Sequence, residues 1–376
     1  MIKKMNLKDK LHQKFVIDKL KNEDIKRGSK APLIVELDPT AVCDLACPGC
    51  ISEDIIAMGN SFSSERLLNL AKELKESGVK GVILIGGGEP LSHPASGDII
   101  KYFGKNDIAI GITTNGTFID RYIDEIANYS SWTRVSVDAA TQKTFDILRP
   151  SKTKKSKFNK VIENMQNLAK IKKGKLGFSF LIRSGIEEKG LVSNIEEIYD
   201  AAKLAKDIGC DYFEIKPSYN YKNDAMHTLV KYDDKTLEKI KQEIQKLDIL
   251  VDDKFKILKA ITLDDMLNGV KEKQIKEYDF CPVAELRTLI TPTGVYVCPY
   301  WRGKSKFNFG TLQNISFSEL WNSQRKKEVL NWLNPSIHCK ELHCLRHESN
   351  LEILDILQKT QNNKEIEIVE EFDRFI

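Results

Sequence analysis

Cys43-Asp44-Leu45-Ala46-Cys47-Pro48-Gly49-Cys50 places three thiols on one short loop with C-x3-C-x2-C spacing. Just upstream, Ile34-Val35-Glu36-Leu37 reads as a buried strand, so the loop hangs from a strand's C-terminal end. Three thiolates on a tight loop can hold three irons of a cubic [4Fe–4S] cluster and leave the fourth iron open for chemistry. A zinc site needs a fourth Cys or His nearby, and the loop has none. Spacing alone favours the cluster, with zinc or unrelated cysteines as alternatives.

Outward from this loop, strand-like runs alternate with helical periods. After the first strand come Val82 to Ile85, Ile108 to Thr113, Arg134 to Val137, Leu176 to Ile182 and Tyr212 to Ile215. Between them Leu67, Leu70, Ala71 and Leu74 mark one helix face, with Ser63 as cap and Gly78 as stop. Ser193-Asn194-Ile195-Glu196 reads as a capping box opening a helix with Ile195, Ile198, Ala202 and Ala205 inward, stopped by Gly209. Six β/α repeats predict an α/β fold, a parallel sheet curved into a partial (β/α)6 barrel. Ligand loops in such folds follow the C-terminal ends of the strands, which brings the motifs to one mouth.

The spacing predicts an amphipathic N-terminal extension over 1–29, a barrel core over 30–230 and a helical connector over 231–275. A small cysteine-rich unit follows over 276–352, and a charged tail expected to fray over 353–376. The connector helix is marked by Leu237, Ile240, Ile244 and Leu247. The N-terminal helix is expected to lie packed on the barrel.

The chain has 376 residues, enough for two or three domains or one large α/β domain with an appendage. With 41% hydrophobic and 30% charged residues it is not a mainly disordered protein. The net charge of +4 is the remainder of 58 basic and 54 acidic residues and gives no reason to expect nucleic acid as the main partner. No apolar stretch approaches the ~20 residues of a membrane span, and MIKKMNLKDKLHQKF lacks the apolar core of a secretory signal. A cytoplasmic protein is expected. Its eight cysteines are clustered, as for metal or redox work rather than disulfides.

The motifs resemble those of the radical S-adenosylmethionine (radical SAM) superfamily. Gly86-Gly87-Gly88-Glu89-Pro90 follows the second strand, about 40 residues beyond the cysteine loop, and looks like that family's GGEP motif. Thr113-Thr114-Asn115-Gly116, Val135-Ser136-Val137-Asp138 and Phe145-Asp146-Ile147-Leu148-Arg149 follow in order, so the resemblance spans residues 32–217. It implies that Cys43, Cys47 and Cys50 hold a [4Fe–4S] cluster whose open iron chelates S-adenosyl-L-methionine. Reductive cleavage would then give a 5′-deoxyadenosyl radical that takes hydrogen from a substrate. It also implies that Gly87, Gly88 and Glu89 meet the SAM ammonium, and that Asn115, Ser136 and Asp138 make polar contacts to it. Arg149 or Arg183 would pair with its carboxylate, the alternative for each being a surface ion pair. One departure stands out: the family often has an aromatic residue where this chain has Gly49, so adenine packing must come from elsewhere.

Cys281, Cys298, Cys339 and Cys344 form a second set, with a hairpin signal at Thr291 to Cys298. Four thiolates can ligate one zinc or one cluster equally well by spacing. Attached to this core the pattern resembles the single-cluster twitch form of the SPASM/twitch extension, implying an auxiliary [4Fe–4S] cluster that assists electron transfer. His338, His343 and His347 are expected to be ordinary neighbours of that site. Cys210 stands alone, either a buried inert thiol or a hydrogen donor to a substrate radical. Tyr219, Tyr221, Tyr300, Trp301 and Arg302 are candidates for the substrate mouth.

The resemblance points to a radical SAM enzyme acting on a small polar molecule, a sugar, nucleotide sugar or aminocyclitol. Oxidation, epimerisation or rearrangement would follow, with electrons from an external low-potential donor such as flavodoxin or ferredoxin. The alternative is a peptide-modifying maturase. Many maturases carry a recognition domain before the core, and only about 30 residues precede the first strand here, fewer than a domain needs. A zinc-stabilised binding protein is the reading from another class.

Overall fold

Along the predicted strands one set of alternate residues is almost wholly apolar, and the other carries the charged side chains Glu36, Arg134, Glu214 and Lys216. Period-two alternation sends these sets to opposite faces of a sheet. A computed structural model describes residues 3–4, 8–187, 190–220, 228–268 and 274–376. Its centre is β1 (Ile34–Leu37), β2 (Gly81–Leu84), β3 (Ala109–Thr114), β4 (Trp132–Ser136), β5 (Lys175–Leu181) and β6 (Tyr212–Lys216). These six pair in parallel in chain order, as expected of a partial (β/α)6 barrel.

The outward set, including Val35, Val82, Ile110, Val135, Phe178 and Phe213, is buried against the crossover helices. Those helices are α1 (Ser64–Glu76), α2 (Ser96–Lys105), α3 (Ile123–Tyr129), α4 (Phe158–Ile171) and α5 (Ile198–Ile208). The Ser63 side chain caps α1 by accepting from the Arg66 N–H at 3.1 Å. Ser193 and Glu196 hydrogen-bond at 2.9 Å, but residues 195–197 form a single 3-10 turn before α5 begins. After β6, α6 (Asp234–Gln245) buries Ile240 and Ile244 as expected.

The sheet extends past six strands at both edges. β7 (Lys256–Lys259) lies parallel to β6, inside the segment expected to be a purely helical connector. β8 (Arg287–Thr291) lies parallel to β1 and starts an antiparallel ribbon with β9 (Gly294–Tyr296) and β10 (Asn308–Gly310). The cysteine-rich region therefore shares its backbone ladder with the barrel rather than standing apart.

The N-terminal helix Lys14–Asn22 buries Val16, Ile17 and Leu20 against Leu286, Ile353, Ile356 and Phe375. The tail departs from the fraying expectation. After helix His347–Gln361 the chain returns to the N-terminal ends of the strands, where Phe375 meets the Trp132 ring edge-on at 5.4 Å. Arg374 pairs with Asp107, and the Ile376 carbonyl accepts from Arg287 at 2.6 Å. Two apolar residues at the end of a charged segment suffice to anchor it.

Candidate active site

The loop after β1 is held by backbone pairing at both ends. Ala46 N–H donates to Pro150 O at 2.8 Å and Lys152 N–H to Asp44 O at 3.0 Å, tying the cysteines to the segment just after Arg149. Gly49 sits at φ +63°, which glycine adopts without strain, so Cys50 turns back toward Cys47. The glycine-rich loop after β2 lies directly on this one. A Cβ on Gly88 would come within 2.3 Å of Val42 O, so only glycine lets the loops touch. Glu89 N–H then donates to Val42 O at 2.8 Å.

Glu89 is buried, and its carboxylate accepts from Thr114 Oγ1 (2.6 Å), Asn115 N–H (2.7 Å) and Leu91 N–H (3.0 Å). The side chain expected to meet a ligand ammonium thus braces its own loop against the end of β3. Asn115 donates to Asp44 Oδ1 at 2.9 Å, and its Nδ2 lies 3.8 Å from Cys43 Sγ. Asp44 Oδ2 is buried without a partner among the described residues, an acceptor left for a donor on a ligand. Asp138 accepts from Arg149 Nε (2.9 Å) and Nη2 (2.5 Å) and from Leu181 N–H (2.8 Å). Asp138 therefore anchors Arg149, and this is a buried ion pair rather than a surface one. Arg183 Nη1 donates to Pro48 O at 3.1 Å, so both arginines flank the cysteine loop. Ser136 ends β4, half-buried, on the inward face.

Burial pushes the Cys43 thiol up to about 12 and raises Cys47, which the cations Arg149 and Arg183 pull back. In the cluster-free chain these thiols hold their protons, and a metal that takes the protons' place is the stabilising substitute. The donor set, the two arginines and the unpartnered Asp44 oxygen fit an iron–sulfur cluster with a zwitterionic ligand.

Inside the barrel the inward set forms ion pairs. Arg134 bonds Glu214 at 2.9 Å and Thr113 Oγ1 at 3.2 Å, and Arg287 Nε donates to Glu36 at 2.6 Å. These groups line a cavity of about 1360 Å³, which reaches Ile51, just after the first cysteine loop, and Gly86 of the glycine-rich loop. Cys281, Cys298, Cys339 and Cys344 line the same cavity, with Tyr219, Tyr300, Trp301 and Arg302 between the two sets. Tyr221 lies outside the described residues. Burial and the neighbouring sulfurs push Cys281 up to about 12 and Cys339 to about 11, again the signature of thiols gathered without enough compensating charge. His338 accepts from Asn334 N–H at 3.0 Å, His347 contacts Tyr278 Oη at 3.1 Å, and His343 lies 3.3 Å from Asp265.

Cys210 does not join either set. It lies at the N-terminal end of β6, opposite the mouth, in the packing beneath α5. Burial raises its thiol far above the ordinary range. The hydrogen-donor reading fails on position, because this thiol is not among the cavity walls.

Asp38 and Arg302 carry no motif signal, and the structure brings them together across the site. Asp38, the first residue after β1, accepts Gly87 N–H at 3.0 Å and pairs with Arg302 Nε at 2.8 Å. Arg302 Nη1 also donates to Ser52 Oγ at 3.2 Å. One guanidinium from the second cysteine region thereby holds both loops of the first. Burial outweighs Arg302 and the Gly87 N–H, pushing Asp38 up to about 6, while Glu89 rises to about 7.

A raised carboxyl favours the folded state when protonated. Its contribution is complete below the unfolded pKa and is lost as pH rises through the folded one. Glu89→Gln in cluster-free protein is therefore expected to narrow the stability gap to wild type between pH 4.5 and 7, by on the order of 1–3 kcal/mol. Urea midpoints at four pH values check this; a gap constant with pH contradicts it.

Residues 37–189 match the radical SAM superfamily. These residues form a radical SAM domain. The radical SAM chain is similar to the mycofactocin maturase MftC of Mycobacterium tuberculosis, 24% identical over 316 residues covering 82% of this chain and 75% of that protein. Its fold is similar to SuiB of Streptococcus suis bound to precursor peptide SuiA, with TM-score 0.59, 15% identity and coverage of 82% and 68%. It is also similar to anSMEcpe with bound AdoMet and Cp18Cys peptide, with TM-score 0.56, 15% identity and coverage of 89% and 100%. The radical SAM chain is an enzyme that uses S-adenosylmethionine and [4Fe–4S] clusters, with a SPASM/twitch-type region beyond the barrel. Such an enzyme needs an electron donor. Among the described residues no helix is long and apolar enough to cross a membrane.

Proposed function

We propose that this radical SAM enzyme modifies a peptide, the alternative raised by the sequence rather than its small-sugar reading. The observation that carries it is the cavity of about 1360 Å³ that runs from the second cysteine set to Ile51, next to Cys50, and Gly86 of the glycine loop, where small-molecule sites usually measure roughly 300–1,000 Å³. That room suits a chain segment entering between the sets, even with cofactor occupying part of it. MftC is named a maturase, and the SuiB and anSMEcpe structures hold peptides, which supports the same reading.

In this reading Cys43, Cys47 and Cys50 hold the first cluster, and Cys281, Cys298, Cys339 and Cys344 the auxiliary one. When bound, SAM and the reduced cluster supply a 5′-deoxyadenosyl radical that takes a hydrogen atom from the peptide. The backbone of Gly87 and Gly88 would receive the ammonium of SAM, with Glu89 holding that loop in shape through Thr114, Asn115 and Leu91. Asn115 and Ser136 offer polar groups to the rest of SAM. Arg149, fixed by Asp138, and Arg183 set the positive charge that a carboxylate requires. The apolar packing between the sheet and its helices shields a reactive carbon centre from water on the outer side of the barrel.

The test is to incubate reduced holoenzyme and SAM with peptides deuterated at candidate side chains, and with deuterated sugars and aminocyclitols, and to read deuterium in 5′-deoxyadenosine. Transfer from a peptide supports the proposal; transfer only from the small molecules overturns it. Cys339→Ala is expected to retain most SAM cleavage while product formation falls on the order of a hundredfold, since second-site ligands are remote from the first loop yet needed for turnover. Quantifying 5′-deoxyadenosine and product in the same reaction checks the split; equal losses of both refute it.

A further inference from the structure

Five arginines line the cavity: Arg134, Arg287, Arg302, Arg346 and Arg374. Four have acidic partners, Glu214, Glu36, Asp38 and Asp107 respectively. Arg346 alone has no hydrogen bond or ion pair to its guanidinium among the described residues. Its backbone N–H donates to Cys344 Sγ at 3.4 Å, which fixes its place on the wall of the second cysteine set. The charged side chains it feels are Arg287, of like sign, Glu36, which Arg287 already occupies, and Cys344 of the second cysteine set. A lone guanidinium inside a protein is unfavourable unless an anion completes it.

We infer that Arg346 is the anchor for a carboxylate of the substrate. A guanidinium with no carboxylate on it can take one, and its planar fork presents paired donors to two coplanar oxygens. Resting on the peptide reading above, this makes the substrate a segment that brings a carboxylate to the auxiliary side of the cavity while the reacting carbon lies toward Gly86 and Ile51. The carboxylate comes either from the end of the peptide or from an Asp or Glu side chain.

The experiment is anaerobic calorimetry of reconstituted holoenzyme with SAM. The probes are acetyl-Gly-Gly-Phe as free acid, the same tripeptide as its amide, acetyl-Gly-Asp-Phe amide, and phenylacetate against phenylacetamide. Wild type is expected to bind an acid about tenfold more tightly than its neutral twin. Arg346→Gln removes that preference and leaves amide binding unchanged, and Arg346→Lys keeps part of it. Preference for the free acid identifies the peptide terminus, and preference for the aspartyl amide identifies a side chain. If phenylacetate shows an Arg346-dependent preference and neither peptide does, the anchor stands and the peptide reading fails. Equal binding of acid and amide, a preference that survives Arg346→Gln, or no binding of any probe up to about 20 mM overturns the proposal. So does a shifted auxiliary-cluster potential in Arg346→Gln with the acid preference intact, which would assign this charge to the cluster.

Discussion

Cys47→Ala is expected to abolish 5′-deoxyadenosine formation, by at least about a thousandfold, because the first cluster loses one of three ligands and none stands by to replace it. The loop offers no substitute. Asp44 is held by Asn115, and Pro48 and Gly49 carry no metal-binding side chain. Iron per chain is expected to fall from about eight to about four, with the auxiliary cluster retained. The fold survives, because the loop is fastened by backbone bonds to Pro150 and Lys152 rather than by its sulfurs. Anaerobic iron and sulfide analysis with quantified SAM cleavage checks both parts. Cleavage at the parent rate would remove the assignment of these three cysteines.

Arg302→Gln is the second large effect. It leaves the Asp38 carboxylate, 1% exposed, without its counter-charge, and breaking one half of a buried pair destabilises by about 3–5 kcal/mol. Asp38 moves further above about 6 and takes up a proton near neutral pH, weakening its hold on Gly87 N–H. SAM affinity is expected to drop about tenfold as the glycine loop loosens, although Arg302 comes from the far cysteine region. Asp38→Asn combined with Arg302→Met should recover much of the stability, since neither partner is then left charged. Urea midpoints and equilibrium dialysis of labelled SAM separate the two effects. A single variant with wild-type stability and affinity contradicts the argument.

Much of this was legible in the sequence. The six strands declare themselves through alternating β-branched and apolar residues, and the cysteine and glycine loops through local spacing. What the sequence hid is long-range. Asp38 and Arg302 are 264 residues apart, and Glu36 and Arg287 are 251 apart, with no motif around any of the four. The alternation in Trp132-Thr133-Arg134-Val135-Ser136 looks like a strand with one wet face, yet that face points into the barrel, where Arg134 finds Glu214. The same blindness left Cys210 with two readings, because position after a helix stop does not reveal which end of a strand faces the chemistry; the structure buries it in the core. Arg149 and Asp138, eleven residues apart, were each legible by motif but not as partners.

The seating of Phe375 and Ile376 beneath the strands has a consequence for traffic. Phe375 against Trp132 and the Ile376 carbonyl on Arg287 put these two residues among the cavity walls at the lower end. They narrow whatever passage exists on that side, and trimming them is expected to widen it and to speed exchange of small molecules with the chamber.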